Sequence, residues 1–515
     1  MAAMTTSTAE IVRTRLMVGM EVHVELATRT KMFTRTPNPA HPDHFDAAPN
    51  TLIDPVVAAL PGTLPVMNRR AVEMSIMVGL ALGCEIPGFC KWDRKNYFYP
   101  DLPKGYQISQ YDLPLCIDGS MEIDLPDGGS KWIGIIRAHL EEDTGKLGHE
   151  LPGGEHYEGS LVDLNRAGTP LLEIVTHPDF GSADEAVSFA RELHRIVRFL
   201  GVSPGIMQRG HMRFEPNINV VIDTADGHEY RTPIVEIKNL NSFRAVKAAI
   251  EHEHERQVAA WREDGKVMGP GAKSTRGWDD VKQLTVLQRT KEDAHDYRYF
   301  PEPDLVPLEV DAAWVDEIRG TLPELPRARR ARYRDAYELS ERDAAALVED
   351  PETVAFFEAC VEALRAAAPK RMTEANAGSA CAKVLLNAGA RRANETSTPI
   401  HALGITPAQV AGLIDLRERE VIGSSAADEL FGILCEDDGE PEAVAEARGL
   451  VQVRDEAAMA GWIEAAIEQQ PQAAEDFRGG KDAAVGRLVG AVMKASGGTA
   501  DAKAVREALV KRLRG

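Results

Sequence analysis

The chain has 515 residues, of which 44% are hydrophobic and 27% are charged, and its formal net charge is −21. This composition is typical of a folded globular protein and excludes a disordered or fibrous chain. The acidic balance also excludes binding to nucleic acid by bulk charge, so any such binding needs a local basic patch.

The cysteines and the hydropathy indicate a cytoplasmic protein. There are 6 cysteines without a CxxC pair, which favours free thiols in a reducing compartment. No apolar run reaches the length of about 18 residues that a transmembrane helix needs. The N-terminus lacks the apolar core of a secretory signal, so we expect neither export nor a membrane anchor.

The first 300 or so residues have the pattern of strands and loops. Apolar residues alternate with other residues in three segments, which predict strands over 18–26, 133–140 and 161–175. Helical spacing predicts helices over 183–200 and 242–261. Ser182 followed by Glu185 is a capping-box pattern, which marks the start of the first helix.

After about residue 304 the chain becomes rich in Ala, Leu, Glu and Arg, and the strand patterns end. One helical domain is predicted from 317 to about 403. A second begins at Thr406, which can cap a helix whose first residue is Pro407. The sequence therefore predicts an α+β protein with three domains, at 1–305, 306–405 and 406–515.

The first strand carries a candidate metal site. Side chains alternate across a strand, so Glu21, His23 and Glu25 share one face. Two carboxylates beside an imidazole suit a divalent cation. A half-buried strand with a wet polar face explains the same pattern, and from this segment alone both interpretations stay open.

Two further acidic features each allow either a metal-binding or a purely structural interpretation. Glu141, Glu142 and Asp143 are consecutive, and a bound cation would relieve their repulsion, although a plain acidic turn also fits. Glu173 lies inside an apolar run, where a carboxylate needs a cationic partner. That partner is either Arg166, in a structural ion pair, or a metal ion.

Segment 91–111 interleaves cations with aromatic residues, and segment 295–304 has a similar composition. This mixture offers charge for phosphate and rings for stacking on a nucleotide. It is also the composition of a protein–protein contact.

The C-terminal segment 478–515 has nine Lys or Arg against three acids, a local balance of +6. The segment is either a solvated basic face or a contact for a phosphate backbone.

Taken in order, these segments resemble the GatB family, the B subunits of tRNA-dependent amidotransferases. Such enzymes convert Glu-tRNA(Gln) to Gln-tRNA(Gln) or Asp-tRNA(Asn) to Asn-tRNA(Asn). The matching strings lie at 19–24, 93–101, 104–110, 141–143, 163–171, 236–243, 296–304 and 488–494. The resemblance extends over nearly the whole chain.

The resemblance implies an N-terminal antiparallel-sheet cradle domain with kinase and transamidase activity, a helical domain and a helical tail that binds tRNA. It also implies a site for ATP and Mg²⁺, with Mn²⁺ as an alternative ion. The implied metal ligands and catalytic residues are Glu21, His23, Glu142 and Glu173. The implied phosphate- or substrate-binding residues are Arg94, Lys95 and Lys104, and the implied tRNA-binding residues are Lys481, Arg487 and Lys494.

The implied activity is that of a carbon–nitrogen ligase with glutamine as the amide donor. ATP would activate the carboxylate of tRNA-bound Glu or Asp as an acyl phosphate, which ammonia then amidates. The implied partners are the A subunit, which is an amidase, the small C subunit and the charged tRNA, in a cytoplasmic heterotrimer. A non-catalytic tRNA-binding scaffold is the alternative function. One departure from the family pattern is Glu215, which stands where relatives carry Asp.

Overall fold

The computed structural model describes residues 10–151, 154–290, 297–452, 456–497 and 500–514. They form two compact units, one up to Pro326 and the other from Arg327. The first unit combines a large sheet with helices and the second is helical. The predicted α+β class is therefore confirmed.

The first unit contains all the described strands. They are β1 (Ile11–Glu25), β2 (Phe89–Cys90), β3 (Asp93–Asn96), β4 (Tyr106–Ser109), β5 (Cys116–Asp124), β6 (Ser130–Glu142), β7 (Lys146–Glu150), β8 (His156–Asp163), β9 (Pro170–Thr176), β10 (Met212–Thr224), β11 (Glu229–Arg231), β12 (Val235–Lys238), β13 (Ser274–Asp279), β14 (Leu284–Thr290), β15 (Phe300–Pro301) and β16 (Leu308–Glu309). Its helices are α1 (Arg69–Ala81), α2 (Ala183–Phe199), α3 (Phe243–Asp264) and α4 (Ala312–Gly320).

The main sheet has nine strands in the order β14-β13-β12-β10-β1-β9-β6-β5, with β11 paired to β10. Its neighbours are antiparallel except β12 and β13, which run parallel. Smaller sheets join β15-β3-β4, β16-β2 and β7-β8. The central strand β1 thus lies between β9 and β10.

The two faces of the sheet differ in polarity. The apolar residues of β1, such as Met20 and Val22, are fully buried in one core with Phe189 and Leu193 of α2 and Val246 of α3. Helices α2 and α3 therefore cover this face. The opposite face carries the polar residues that alternate with the apolar ones.

Both predicted helices of the first unit form, and the start of the first at Ser182 is confirmed. Ser182 accepts a hydrogen bond from the Glu185 backbone N–H at the start of α2, and Ser242 does the same for Ala245 in α3. The Glu185 carboxylate, however, accepts from the Gly181 N–H rather than from Ser182. In a standard capping box Glu185 would accept from the backbone N–H of Ser182, the N-cap residue. In α2 it accepts from the residue before the N-cap instead.

The single strand predicted over 161–175 is wrong. β8 ends at Asp163, and β9 begins at Pro170 in a different sheet. The turn between them contains Gly168 with φ +81°, a left-handed conformation that ends the extended pattern. Arg166 also holds this turn by donating to the carbonyls of Thr144 and Gly145.

The second unit is helical throughout its described residues. Its α-helices are α5 (Pro326–Tyr337, which begins at the boundary), α6 (Glu341–Leu347), α7 (Pro351–Ala367), α8 (Glu374–Val384), α9 (Ala390–Thr396), α10 (Pro407–Glu418), α11 (Ser424–Leu434), α12 (Pro441–Ala447), α13 (Glu456–Gln469), α14 (Pro471–Arg478), α15 (Val485–Ala495) and α16 (Ala502–Arg514). Thr406 caps α10 and Pro407 begins it, as predicted, and the structure adds a capping box between Thr406 and Gln409. The last four helices bury a small core of their own that includes Phe477, Leu488 and Leu509.

In the part of the chain that the structure describes, no helix combines the length and the apolar character that crossing a membrane requires.

Candidate metal centre

The polar face of the main sheet brings together residues from three neighbouring strands. His23 of β1 lies directly opposite Glu173 of β9, which in turn lies opposite His139 of β6. Alternation along β6 places Glu141 on the same face as His139. The register of β1, β9 and β6 therefore assembles a compact polar cluster.

The distances within this cluster suit a bound cation. The Oε2 atom of Glu173 lies 3.4 Å from Nε2 of His23 and 3.6 Å from Nε2 of His139. Glu141 approaches the same two imidazoles at 4.0 and 3.9 Å. One ligand atom each from His23, Glu141 and Glu173 all lie within 4.8 Å of one another. Two carboxylates and an imidazole form a donor set that divalent ions accept.

Two buried imidazole nitrogens add to this fit. Nδ1 of His23 and Nδ1 of His139 are buried, and neither has a hydrogen-bond partner among the described residues. His139 is 2% exposed and Glu141 is 2% exposed, so the cluster lies away from bulk water. The site thus concentrates acceptor atoms in a place where a cation would be poorly screened.

The pKa values show how strongly these groups interact. Burial alone favours neutral His23, but its hydrogen bond to Glu173 and the charges of Glu215 and Glu173 raise the pKa of His23 to about 9. Burial lowers the pKa of His139 to about 4. Burial opposes the ionisation of Glu173, yet His139 and His23 hold its pKa well below the ordinary value.

Glu141 behaves in the opposite way from Glu173. Burial raises its pKa, although the charge of Lys95 acts against this. A carboxylate that resists ionisation beside an ionised one is stabilised by an added positive charge. The residues present therefore fit a divalent cation.

A second set of polar residues surrounds the cluster. Glu21 accepts a hydrogen bond of 2.9 Å from the Asn217 side chain. Glu215 lies 3.9 Å from Nδ1 of His23 and accepts a bond of 2.6 Å from Lys238, which also pairs with Glu236 at 2.9 Å. Glu215, the departure from the family pattern, thus belongs to the same site through both His23 and Lys238.

Most of these residues line an open cavity of about 860 Å³, among them His23, His139 and Glu173 of the cluster. Its lining includes acids from the sheet, the cation Lys95 and a group of tyrosines from two segments that the sequence singled out. Tyr111 and Tyr299 stack with ring centroids 4.3 Å apart. The cavity is large enough for a nucleotide-sized ligand.

The structure does not bring Glu142 to this cluster. Glu142 follows Glu141 in β6 and so points to the opposite face. Its carboxylate binds the Lys104 ammonium and accepts a hydrogen bond of 3.0 Å from the Ile108 N–H. Glu142 and Lys104 line a small separate cavity.

The structure excludes one of the two cationic partners that the sequence allowed for Glu173. Sequence reasoning left Arg166 or a metal as its cationic partner. Arg166 instead lies 3.6 Å from Asp143, and Glu173 is surrounded by His23 and His139. The structural ion pair between Arg166 and Glu173 is therefore absent.

The three cations expected to bind phosphate have different surroundings. Arg94 forms two hydrogen bonds of 2.7 and 2.8 Å with Glu302 and a third of 3.2 Å with Asp304. Lys104 is held by Glu142. Lys95 lines the large cavity; burial opposes its charge, but Glu141 and other acids raise its pKa well above the ordinary value.

Sequence reasoning named Glu141 in an acidic run but assigned no role to several other residues of the site. Arg137 and His139 lie two residues apart in the predicted strand 133–140, so its period-two pattern contained the signal for both, and Glu141 continues the same alternation just beyond that strand. Lys238, Arg289 and Arg298 also line the cavity. They come from distant segments, and no local pattern joins them to β1.

The tail residues lie in the second unit. Arg487 and Lys494 are exposed and, at positions i and i+7 of α15, share one face. Lys481 forms an ion pair of 3.0 Å with Asp476. The exposed pair is thus available to a ligand, whereas Lys481 is already engaged.

Family models and curated relatives match the chain over most of its length. The model described as "GatB/GatE catalytic domain" matches residues 16–316, and the model described as "GatB domain" matches residues 369–513. Three relatives are named as the B subunits of aspartyl/glutamyl-tRNA(Asn/Gln) amidotransferases. The protein from Thermomicrobium roseum is 45% identical over 96% of this chain and 98% of its own length. That from Geobacter sulfurreducens is 45% identical over 97% and 99%, and that from Halorhodospira halophila is 44% identical over 97% and 98%.

Proposed function

The chain belongs to the GatB family, and from this premise and the geometry of the cluster we propose that it is the B subunit of a glutamine-dependent tRNA amidotransferase. The complex is an ATP-using ligase that amidates Glu on tRNA(Gln), Asp on tRNA(Asn), or both. The observation that carries the proposal is the convergence of His23, Glu141 and Glu173. Two of these residues, His23 and Glu173, line the same cavity as Lys95.

The reaction has two steps. An oxygen of the tRNA-bound side-chain carboxylate attacks the γ-phosphorus of ATP, and ADP leaves with the electrons of the broken P–O bond. Ammonia then attacks the carbonyl carbon of the acyl phosphate, phosphate leaves, and an amide forms. Phosphoryl transfer depends on positioning and charge neutralisation more than on covalent groups from the protein.

His23, Glu141 and Glu173 would hold the divalent cation, with Glu21 and Glu215 beside them. When bound, Mg²⁺ or Mn²⁺ supplies charge neutralisation for phosphate oxygens. Lys95 contributes a fixed positive charge, because its aromatic surroundings and the nearby acids keep it protonated. Relative to the ligand set implied by the family, we replace Glu142, which is bound to Lys104, with Glu141 and place Glu21 beside the ligands rather than among them.

We assign glutamine hydrolysis to a separate protein, the amidase or A subunit, and we expect the small C subunit to complete a heterotrimer. We also retain the three-domain division at 305 and 405, with chemistry in the first domain and tRNA binding in the tail. The exposed basic face of α15 supports the latter role. The tRNA substrate and the free cysteines support a cytoplasmic location.

Substitution of one ligand tests the proposal. In the assembled complex, Glu173→Gln should abolish the formation of ADP and of a hydroxylamine-trappable acyl phosphate from ATP and Glu-tRNA(Gln). Glu158→Gln, an exposed acid on β8, is the matched control and should behave as wild type. Normal acyl-phosphate formation by an assembled Glu173→Gln complex would contradict the catalytic role.

A further inference from the structure

A strap formed by residues 297–304 borders the cavity and is tied to β3. Its strand β15 pairs with β3 in antiparallel fashion, and the Arg94 guanidinium forms two hydrogen bonds with the fully buried Glu302 side chain. Asn96, at the end of β3, binds the turn that precedes β15. The start of the strap is therefore held in one position.

The turn contains a strained residue. Arg298 has a φ of 46°, a left-handed conformation that costs a non-glycine residue about 1 kcal/mol. The side-chain amide of Asn96 donates hydrogen bonds of 3.1 Å to the Tyr297 carbonyl and 2.8 Å to the Arg298 carbonyl. Strain that neighbouring groups maintain in this way is concentrated at functional sites.

The residues on both sides of Arg298 are packed. Tyr299 stacks on Tyr111 with an interplanar angle of 12°, and the Tyr297 ring lies 6.1 Å from that of Tyr97. Arg298 itself is exposed and lines the cavity. Within the described part of the chain, its guanidinium has no acid or carbonyl acceptor.

The charges of the cavity indicate what this guanidinium binds. The sheet side of the cavity presents acids, among them Glu21, Glu173 and Glu215, which repel a phosphate group. Lys95, Arg289 and Arg298 line the same cavity and attract one. A guanidinium offers paired donors that match phosphate oxygens.

Building on the function proposed above, we propose that the Asn96-held turn presents Arg298 to a phosphate group of a substrate. The source is either the polyphosphate of ATP or a phosphodiester at the 3′ end of the tRNA. Asn96 acts as a positioning residue, because it fixes the backbone from which the guanidinium projects.

Two equilibrium binding measurements on the assembled complex test the proposal. One uses a non-hydrolysable ATP analogue without tRNA, and the other uses uncharged tRNA without nucleotide. Arg298→Ala should weaken one of these affinities fivefold or more, and Arg298→Lys should recover part of the loss. Arg244→Ala is the matched control, since Arg244 is 84% exposed, outside the cavity.

Arg298→Gly separates binding from folding. Glycine adopts a positive φ without strain, so this variant should melt at or above the wild-type temperature and still lose affinity as Arg298→Ala does. Asn96→Ala should raise KM for the same substrate with kcat within twofold of wild type.

The outcomes distinguish ATP from tRNA as the source of the phosphate group. They also distinguish a failure of the Arg298 inference from a failure of the proposed function. Loss confined to the analogue assigns the phosphate to ATP, and loss confined to tRNA assigns it to the 3′ end. Unchanged affinity for both ligands in Arg298→Ala overturns the inference while leaving the proposed function intact. A wild-type complex that binds neither ligand contradicts the proposed function and the inference with it.

Discussion

His23 and Glu173 face each other across β1 and β9, with Nε2 of the imidazole 3.4 Å from Oε2 of the carboxylate. The pair is nearly enclosed, since the side chains are 14% and 10% exposed. An imidazole and a carboxylate held at this distance and away from water are two of the three ligands that we propose for a divalent cation. The third proposed ligand is Glu141 of β6, and substitutions in this strand test the metal site.

Neighbouring glutamates of β6 should differ in metal binding. Glu141→Gln removes a carboxylate from the cluster and should weaken Mn²⁺ binding at least about tenfold. Glu142→Gln, on the opposite face, should keep the affinity within about threefold of wild type, because its carboxylate binds Lys104 instead. Electron paramagnetic resonance of free Mn²⁺ during titration measures both. Equal losses in the two variants would show that Glu142 also reaches the ion.

Substitution of the two adjacent cations of β3 should have different effects, one on the stability of the fold and the other on the reaction. Arg94→Gln leaves the buried Glu302 carboxylate unpaired and should lower the free energy of unfolding by about 3 kcal/mol. Lys95→Gln should change stability by less than about 1 kcal/mol but reduce acyl-phosphate formation at least about tenfold. Urea unfolding and the trapping assay provide the two measurements. If the Arg94→Gln variant is as stable as wild type but binds nucleotide more weakly, Arg94 contacts a phosphate group rather than stabilising the fold.

A buried acid on α3 should make the first unit sensitive to low pH. The fully buried side chain of Glu253 accepts hydrogen bonds of 2.8 and 2.9 Å from Arg256, and Thr285 also donates to it. Burial alone raises the pKa of Glu253, but Arg256 and its other donors hold it below the ordinary value. Its contribution to stability is therefore complete above the unfolded pKa and is lost as the pH falls through the folded pKa.

Glu253→Gln should thus cost about 3 kcal/mol at pH 7, and the difference from wild type should shrink below about pH 4.5. Glu251→Gln is the matched control on the same helix, because that carboxylate is 57% exposed and lies 3.8 Å from Lys247. The control should change stability by less than about 0.5 kcal/mol at either pH. Denaturant unfolding at several pH values measures this. A difference that stays constant down to about pH 3 would show that ionised Glu253 does not stabilise the fold.

Charge reversal on α15 should weaken tRNA binding. Arg487→Glu with Lys494→Glu removes two exposed cations from one helix face, so affinity should fall and become less dependent on salt. Each lost phosphate contact should reduce the slope of log affinity against log salt by about 0.7–0.9. Arg262→Glu, an exposed site at the end of α3, is the control. Unchanged affinity at low salt would exclude this face as a contact.

The sequence by itself was sufficient for the class of fold, the family and several local elements. The caps at Ser182 and Thr406 depend on residues within one helical turn, and the alternation at Glu21 and His23 depends on one strand. Such features need no knowledge of distant segments. The same local pattern in β6 distinguishes Glu141 from Glu142, whereas the family resemblance pointed to Glu142.

Only the tertiary structure decided which charges meet. Arg94 is paired with Glu302, 208 positions away, a partner that no local pattern indicates. His139 joins the cluster because β9 places Glu173 between it and His23. Strand register and long-range ion pairs depend on the packing of the whole sheet, because they join residues that no local interaction brings together. The composition of the His23, His139, Glu141 and Glu173 cluster therefore depends on the order and register of the strands rather than on any one segment.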